Sequence, residues 1–363
     1  MNKEYVLVIN PGSTSTKVAI FQDETLVHEA KLEHATDDLK KFEKLADQYD
    51  YRRQLIEAWM NDCGIQKENL LAAVGRGGLL RPMPGGTYSV TEGMIRDLQV
   101  GYQGEHASNL GGIIAKAIAD EGNAKAFIVD PVAVDEFDPV ARISGMPEIE
   151  RKSLGHALNI KAVARRAAKD FNKPFNEINL VVAHLGGGIT VAPIRKGKAV
   201  DYNNANEMGP FSPERAGGVP AGDLMKMCFS GNHTQKEIMN KLRGQGGLTA
   251  YLDTNDARQV EKRIEAGDEK AKMIYDAMAY QISKEIGAMA TVLKGDMDAI
   301  LITGGLAYSE KLMEAIKENI GFMAPVKVYP GEDEMIALNE GALRVLRKEE
   351  NPKIYEKEVG IHD

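Results

Sequence analysis

Two short segments of the chain place small polar residues where an apolar run breaks off. In the first, Val6-Leu7-Val8-Ile9 leads into Asn10-Pro11-Gly12-Ser13-Thr14-Ser15-Thr16-Lys17. In the second, Leu180-Val181-Val182-Ala183 leads into His184-Leu185-Gly186-Gly187-Gly188. A turn of Gly, Ser and Thr can aim backbone N–H groups and hydroxyls at an anion with no bulky side chain in between. Two such turns facing each other across a cleft would grip a polyphosphate, whereas either one alone reads equally well as a tight hairpin. The common alternatives for nucleotide binding are missing. No G-x-x-x-x-G-K-[ST] is present, no G-x-G-x-x-G runs from a strand into a helix, and the protein-kinase motifs are absent.

The elements that must position these turns follow one plan, used twice. Each turn sits between two apolar stretches, Val6–Ile9 and Val18–Ile20 in the first case, Leu180–Ala183 and Ile189–Ala192 in the second, which predicts strand, turn, strand. A second echo pairs Ala72-Ala73-Val74-Gly75-Arg76-Gly77-Gly78 with Ala299-Ile300-Leu301-Ile302-Thr303-Gly304-Gly305, both short buried strands running into glycines. Between them the spacing predicts helices. Over 271–294, Ile274, Met278, Ile282, Ile286, Met289 and Leu293 recur at three and four residues, and Gly295 stops the run. Further helices are predicted over 109–119, 156–168, 309–318 (with Ser309 as N-cap) and 336–347, the last packing back on the first half. The reading is a duplicated α/β domain with an interdomain cleft. One domain covers 1–150 plus 336–363, on the acyl-substrate side, and the other covers 151–335, on the nucleotide side.

Bulk properties narrow the partners. A chain of 363 residues exceeds one simple core. Its net charge of -8 disfavours nucleic acid. The apolar run Val6–Ile9 is too short for a signal core or a membrane span, so no membrane association is expected. Cys63 and Cys228 form no Cys-x-x-Cys pair, which fits a reduced, cytoplasmic setting and buried packing.

At this point the motifs resemble a known family. Val8-Ile9-Asn10-Pro11-Gly12-Ser13-Thr14-Ser15-Thr16-Lys17 is similar to the opening motif of the acetate and butyrate kinases. His184-Leu185-Gly186-Gly187-Gly188 resembles their second phosphate motif, and Thr303-Gly304-Gly305-Leu306 their adenosine motif. The resemblance covers essentially the whole chain in order. It implies the duplicated ribonuclease-H-like fold shared by actin, sugar kinases and Hsp70, and an enzyme transferring the γ-phosphoryl of ATP to a carboxylate. Within the family the butyrate branch is the nearer. Acetate kinases open Asn-Ala-Gly-Ser-Ser-Ser where this chain has Asn-Pro-Gly-Ser-Thr-Ser, and Gly209-Pro210-Phe211-Ser212-Pro213-Glu214-Arg215-Ala216-Gly217-Gly218 resembles butyrate kinases. The implied reaction is reversible, direct in-line transfer from ATP to butanoate, giving ADP and butanoyl phosphate. The resemblance also implies a homodimer or higher homo-oligomer.

A carboxylate is already ionised at pH 7, so this chemistry needs no general base. Its barrier is the approach of one anion to another, which calls for cations, Mg²⁺ and alignment. The resemblance assigns Arg76 to the substrate carboxylate and the transferring phosphoryl, and Arg215 as second catalytic arginine. Strict alignment on Gly222-Asp223-Leu224 would instead put Pro220 there, so Arg215 reaches the site only through an insertion or another route. His184 and His156 are implied as catalytic, with His106 on the substrate side. Asp130, implied as catalytic and as an acidic residue near Mg²⁺, joins Glu334 and Asn10 as the metal set. Mg²⁺ takes few carboxylates, so these would suffice. ATP contacts fall on Asn10, Gly12, Ser13, Ser15, Lys17, His184, Gly186, Gly187, Gly188, Asp256, Arg258, Gly304 and Gly305.

Two departures bear on substrate length. Gly78 replaces a valine of acetate kinases, and Gly155 a phenylalanine just before His156. Both would enlarge an acyl pocket. Each buried methylene contributes about 0.8 kcal/mol, so two would favour butyrate over acetate roughly tenfold. The rivals are an isobutyrate, propionate or acetate kinase of the same family, and a non-catalytic ATP-binding switch of the actin or Hsp70 kind. A sugar kinase is disfavoured because it needs an aspartate base.

Overall fold

The computed structural model describes residues 3–360. In chain order the strands are β1 (Tyr5–Pro11), β2 (Ser15–Gln22), β3 (Thr25–Glu33), β4 (Leu70–Arg76), β5 (Thr87–Ser89) and β6 (Lys125–Val129). They continue with β7 (Asn179–Leu185), β8 (Ile189–Arg195), β9 (Lys198–Ala199), β10 (Ala299–Gly304), β11 (Val326–Pro330) and β12 (Lys353–Ile354). One sheet has the order β12-β5-β6-β4-β1-β2-β3 and the other β11-β10-β7-β8-β9.

Both sheets repeat one scheme. β1, β2 and β3 form an antiparallel meander, β4 joins β1 in parallel, and β6 joins β4 in parallel. Likewise β7, β8 and β9 are antiparallel, β10 is parallel to β7, and β11 is parallel to β10. Central parallel strands are covered on both faces, which is why β7 and β10 read as unbroken apolar runs. The covering helices are those the periodicity predicts. Glu269–Val292 buries Met278, Ile282 and Ile286 on one face of the second sheet, and Ala157–Asp170 buries Ile160, Val163 and Ala164 on the other. Ser309 caps Glu310–Ile320 by accepting the Leu312 N–H at 3.0 Å.

The backbone gathers into two compact units, residues up to Asp135 together with those from Asp333 on, and Glu136–Glu332. The junctions thus lie at 135/136 and 332/333, where the sequence reading put them at 150/151 and 335/336. Side chains explain both shifts. Glu136 pairs with the buried Lys161 at 2.7 Å and Phe137 packs edge-on against Tyr202 at 4.9 Å, which ties the segment after Asp135 to the second unit. Glu334 instead bonds Asn10 of the first unit at 2.7 Å. The helix Glu334–Leu346 belongs to that first unit, where the Thr87 hydroxyl donates to the Gly341 carbonyl at 3.1 Å. No described helix is long and apolar enough to cross a membrane.

Candidate active site

In the first unit the β1–β2 connection is the glycine-serine turn. Gly12 N–H donates to the Ser15 carbonyl at 2.7 Å, while Ser13, Thr14 and Lys17 are exposed. Behind the turn lies Arg52, fully buried on the helix Tyr49–Asp62. Asn10, at the end of β1, is 9 % exposed and donates from Nδ2 to Glu334 Oε2 at 2.7 Å. Arg76 ends β4 and forms an ion pair with Glu334.

Burial alone would raise the pKa of Glu334. The Arg76 charge and hydrogen bond, the Asn10 bond and the Lys17 charge outweigh it, so the carboxyl sits below its ordinary range and stays ionised. His106 lies nearby, its Nδ1 2.8 Å from Ser108 Oγ; burial and the Arg76 charge lower its pKa, favouring the neutral ring. Asn10, Arg76, Glu334, Lys17 and His106 are therefore brought together around one ionised carboxylate. Of this set, the Asn10 amide oxygen and the Glu334 carboxylate are the oxygens a hard cation could use, the latter by giving up its bond to Arg76 or Asn10.

Asp130 makes a backbone contact of its own. It follows β6 with φ of 37° and is 1 % exposed. Its Oδ1 accepts the Gly86 N–H at 2.7 Å while its own N–H donates to the Gly86 carbonyl at 3.0 Å. This buried carboxylate, through its Oδ1, helps to hold the 84–86 turn.

In the second unit, His184 is the penultimate residue of β7 and 1 % exposed. Its ring stacks on His156 with centroids 4.3 Å apart. His156 Nδ1 lies 2.9 Å from Thr190 Oγ1. The glycine turn follows, with Gly186 N–H donating to the Gly188 carbonyl at 3.2 Å and the Ser212 hydroxyl bonding the Gly187 carbonyl at 2.5 Å.

Arg215 reaches this turn. A Cβ at Gly188 would lie 2.7 Å from Arg215 Cζ, so the guanidinium rests directly on the glycine. Burial foremost lowers the Arg215 pKa, with Glu214 opposing and Arg243 adding to the shift. At the end of β10, Gly304 has φ of 96° and no room for a side chain against Leu185, whereas Gly305 is open. Gly305 helps to line a cavity of about 660 Å³ together with Asn255, Asp256, Ala257, Arg258 and Glu261. Asp256 caps the helix Ala257–Glu265 and pairs with Arg258 at 2.8 Å.

The two glycines expected to enlarge an acyl pocket do not. A Cβ at Gly78 would lie 2.6 Å from Asn109 Cα, and one at Gly155 2.7 Å from Tyr202 Cε2. Asn109 and Tyr202 already fill that space, so both glycines permit close packing and leave no room for a longer chain.

Three residues were missed by the sequence reading. Arg52 had a visible signal, since Arg52, Ile56 and Met60 are spaced i, i+4, i+8 on one helical stripe. Glu332, whose Oε1 is 3.8 Å from His184 Nε2, and Glu261, whose carboxylate accepts from Tyr275 at 2.7 Å, had none.

The Acetokinase family model matches residues 150–340. A protein of Caldanaerobacter subterraneus subsp. tengcongensis named probable butyrate kinase 2 is 55 % identical over 350 residues, 96 % of this chain and 99 % of that protein. Among solved structures, acetate kinase from Porphyromonas gingivalis superposes with a TM-score of 0.78 at 18 % identity, covering 94 % of this chain and 100 % of that one. A propionate kinase from Francisella tularensis gives 0.73 at 16 % identity, covering 93 % and 98 %. The fold is the duplicated actin-like ATPase fold of these kinases. By the family match and by so close a relative along nearly its full length, the chain belongs to the acetokinase family, and is a carboxylate kinase that uses ATP.

Proposed function

We propose that the protein is a butyrate kinase, carrying out reversible in-line transfer of the γ-phosphoryl of ATP to butanoate. A carboxylate oxygen forms the new bond to phosphorus, the bond to the β,γ-bridging oxygen breaks, and ADP leaves with the electron pair. The observation that carries this reading is the environment of Arg76. One side of its guanidinium is held by Glu334, and among the described residues its other N–H groups have no protein acceptor. A planar fork so held matches a carboxylate and a phosphoryl oxygen at once.

The neighbouring groups supply the rest. Glu334 and Asn10 would hold Mg²⁺, which contributes charge neutralisation on the phosphates. Asn10, Gly12, Ser13, Ser15 and Lys17 offer donors to phosphate oxygens from the first unit. His184, His156, Arg215 and the Gly186–Gly188 turn do so from the second. Gly304, Gly305, Asp256 and Arg258 take the adenosine. No side chain has to remove a proton from the acceptor. The first unit thus offers Arg76 and His106 to the acid besides its turn to the phosphates, and the second offers its residues to the nucleotide.

Butyrate as the acid follows the relative named for it. Isobutyrate, propionate and acetate remain the alternatives within the family, because the Gly78 and Gly155 argument does not survive the packing. The protein is further proposed to work in the cytoplasm as a homodimer or higher homo-oligomer, in keeping with two free cysteines and with Phe229 and Phe322 each 84 % exposed. The deciding experiment incubates the protein with Mg-ATP and acetate, propionate, butyrate, isobutyrate or valerate, trapping acyl phosphate with hydroxylamine. Highest kcat/KM on butyrate is expected. Higher kcat/KM on acetate would move the assignment to another branch, and no hydroxamate with any acid would remove it.

A further inference from the structure

We propose that Arg52 is a positioning residue for the β1–β2 turn, holding the turn's carbonyl oxygens inward so that its N–H groups face a phosphate. The proposal rests on the ATP-dependent reading above and extends it to a residue with no contact to the nucleotide.

The backbone accounting of the turn is complete on its carbonyl side. Arg52 Nη1 donates to the Gly12 carbonyl at 2.7 Å and, at 3.4 Å, to that of Ser15. Nη2 donates to the Ser13 carbonyl at 3.1 Å. The Thr14 carbonyl accepts the His34 N–H at 2.8 Å, and the Ser15 carbonyl also takes the Gly12 N–H at 2.7 Å. All four carbonyls from Gly12 to Ser15 are thereby turned toward the protein. The N–H groups of Ser13 and Thr14 have no backbone acceptor among the described residues, and both residues are exposed. Buried backbone carbonyls need donors, and the donor chosen here fixes which way each peptide plane points.

The guanidinium itself is set rigidly. Nε and Nη2 both donate to Gln48 Oε1, at 3.0 and 2.8 Å, and Nη1 donates to Thr16 Oγ1 at 3.1 Å. Thr16 Oγ1 is also 2.8 Å from His34 Nε2. Every acceptor of Arg52 is a neutral oxygen, and no carboxylate among the described residues pairs with it. A fully buried cation without a counter-ion is costly to maintain. Placed directly behind a turn of outward N–H groups, its charge adds to the field that those groups present to an anion. Lysine could supply the charge but not the planar fork that spans three carbonyls.

The test compares wild type with R52K and R52M by calorimetric binding of ATP, ADP and adenosine, with hydroxamate kinetics alongside. Both variants are expected to bind ATP and ADP more weakly by about tenfold or more, with adenosine affinity and KM for butyrate changed less than about twofold. A purely structural role would weaken adenosine and ATP alike. R52K, which keeps the charge and much of the volume, carries the test if R52M does not fold. Equal ATP affinity in R52K and wild type overturns the proposal, as does parallel loss of adenosine binding. Failure of wild type itself to bind ATP or form hydroxamate strikes the kinase reading first, and so is told apart from failure of the Arg52 role.

Discussion

At the scale of single residues, Arg76 and Glu334 hold one another in the state each needs. The carboxylate keeps the guanidinium aimed, and the cation keeps a buried carboxyl ionised. Replacing Arg76 by lysine removes the fork, and kcat/KM in the hydroxamate assay is expected to fall by about 10³ or more with the fold intact by circular dichroism. Glu334→Gln should keep the bond to Asn10 but raise the Mg²⁺ concentration for half-maximal rate about tenfold or more, measured by titration after chelator treatment.

A different residue governs the acid response of the fold. His34 is 4 % exposed, and burial together with the Arg52 charge lowers its pKa to about 4. Its buried Nδ1 has no partner among the described residues, so protonation would strand a charged N–H. Between pH 6.5 and 4 the unfolded chain therefore binds a proton that the folded one refuses, and stability falls as pH falls through that window. His34→Gln should flatten this dependence, removing on the order of 2 kcal/mol of the difference between pH 7 and pH 4.5 in urea unfolding.

At the scale of elements, the site is carried by strand ends and the turns that follow them. β1 and β7 each end in a turn, β4 ends at Arg76, and β10 ends at Gly304. These were legible because strand and turn chemistry are local. Four apolar residues followed by Gly, Ser or Thr fix both the element and its stop. What could not be read was which neighbour fills the space beside a small residue. Gly78 and Gly155 looked like vacated volume, yet the helix start at Asn109 and the ring of Tyr202 occupy it, and both come from distant parts of the chain. Asp130 matched a metal position by order along the chain, while its left-handed backbone and its clasp on Gly86 emerge only from pairing of β5 with β6. Arg52 drew no notice, although its i, i+4, i+8 relation to Ile56 and Met60 marks it as inward. It follows that Gly78→Val should lower the melting temperature by several degrees, as for a destabilisation of about 1–3 kcal/mol, through collision with Asn109. The ratio of acetate to butyrate activity should hold within about twofold in the fraction that remains folded.

At the scale of the whole molecule, the five-strand order of the second sheet recurs in the first as β6-β4-β1-β2-β3, although the sequences have little in common beyond glycine turns and apolar runs. Each unit has a hairpin turn of small residues and a parallel strand that runs into glycines, and the units have diverged in what they add. The first adds Arg76, Glu334 and Asn10; the second adds the stacked histidines and the cavity beside Gly305. Because no residue has to carry the phosphoryl group between acid and nucleotide, transfer from ATP chirally labelled at the γ-phosphorus should proceed with net inversion. Retention would require a phosphoenzyme, for which His184 would be the first residue to inspect.

The path of the chain between the units also has a consequence for how the protein is made. The polypeptide leaves the first unit after Asp135, completes the second without interruption, and returns at Asp333 with the helix Glu334–Leu346. That helix supplies the Gly341 carbonyl that receives Thr87, and it brings Glu334 to Asn10 and Arg76. On the ribosome, the segment up to Asp135 thus cannot finish folding until residues beyond Asp333 have emerged, while the segment in between can mature on its own schedule. Until then part of the apolar surface of strands β1 and β4 lacks the cover of that helix, the condition under which a nascent chain is prone to aggregation.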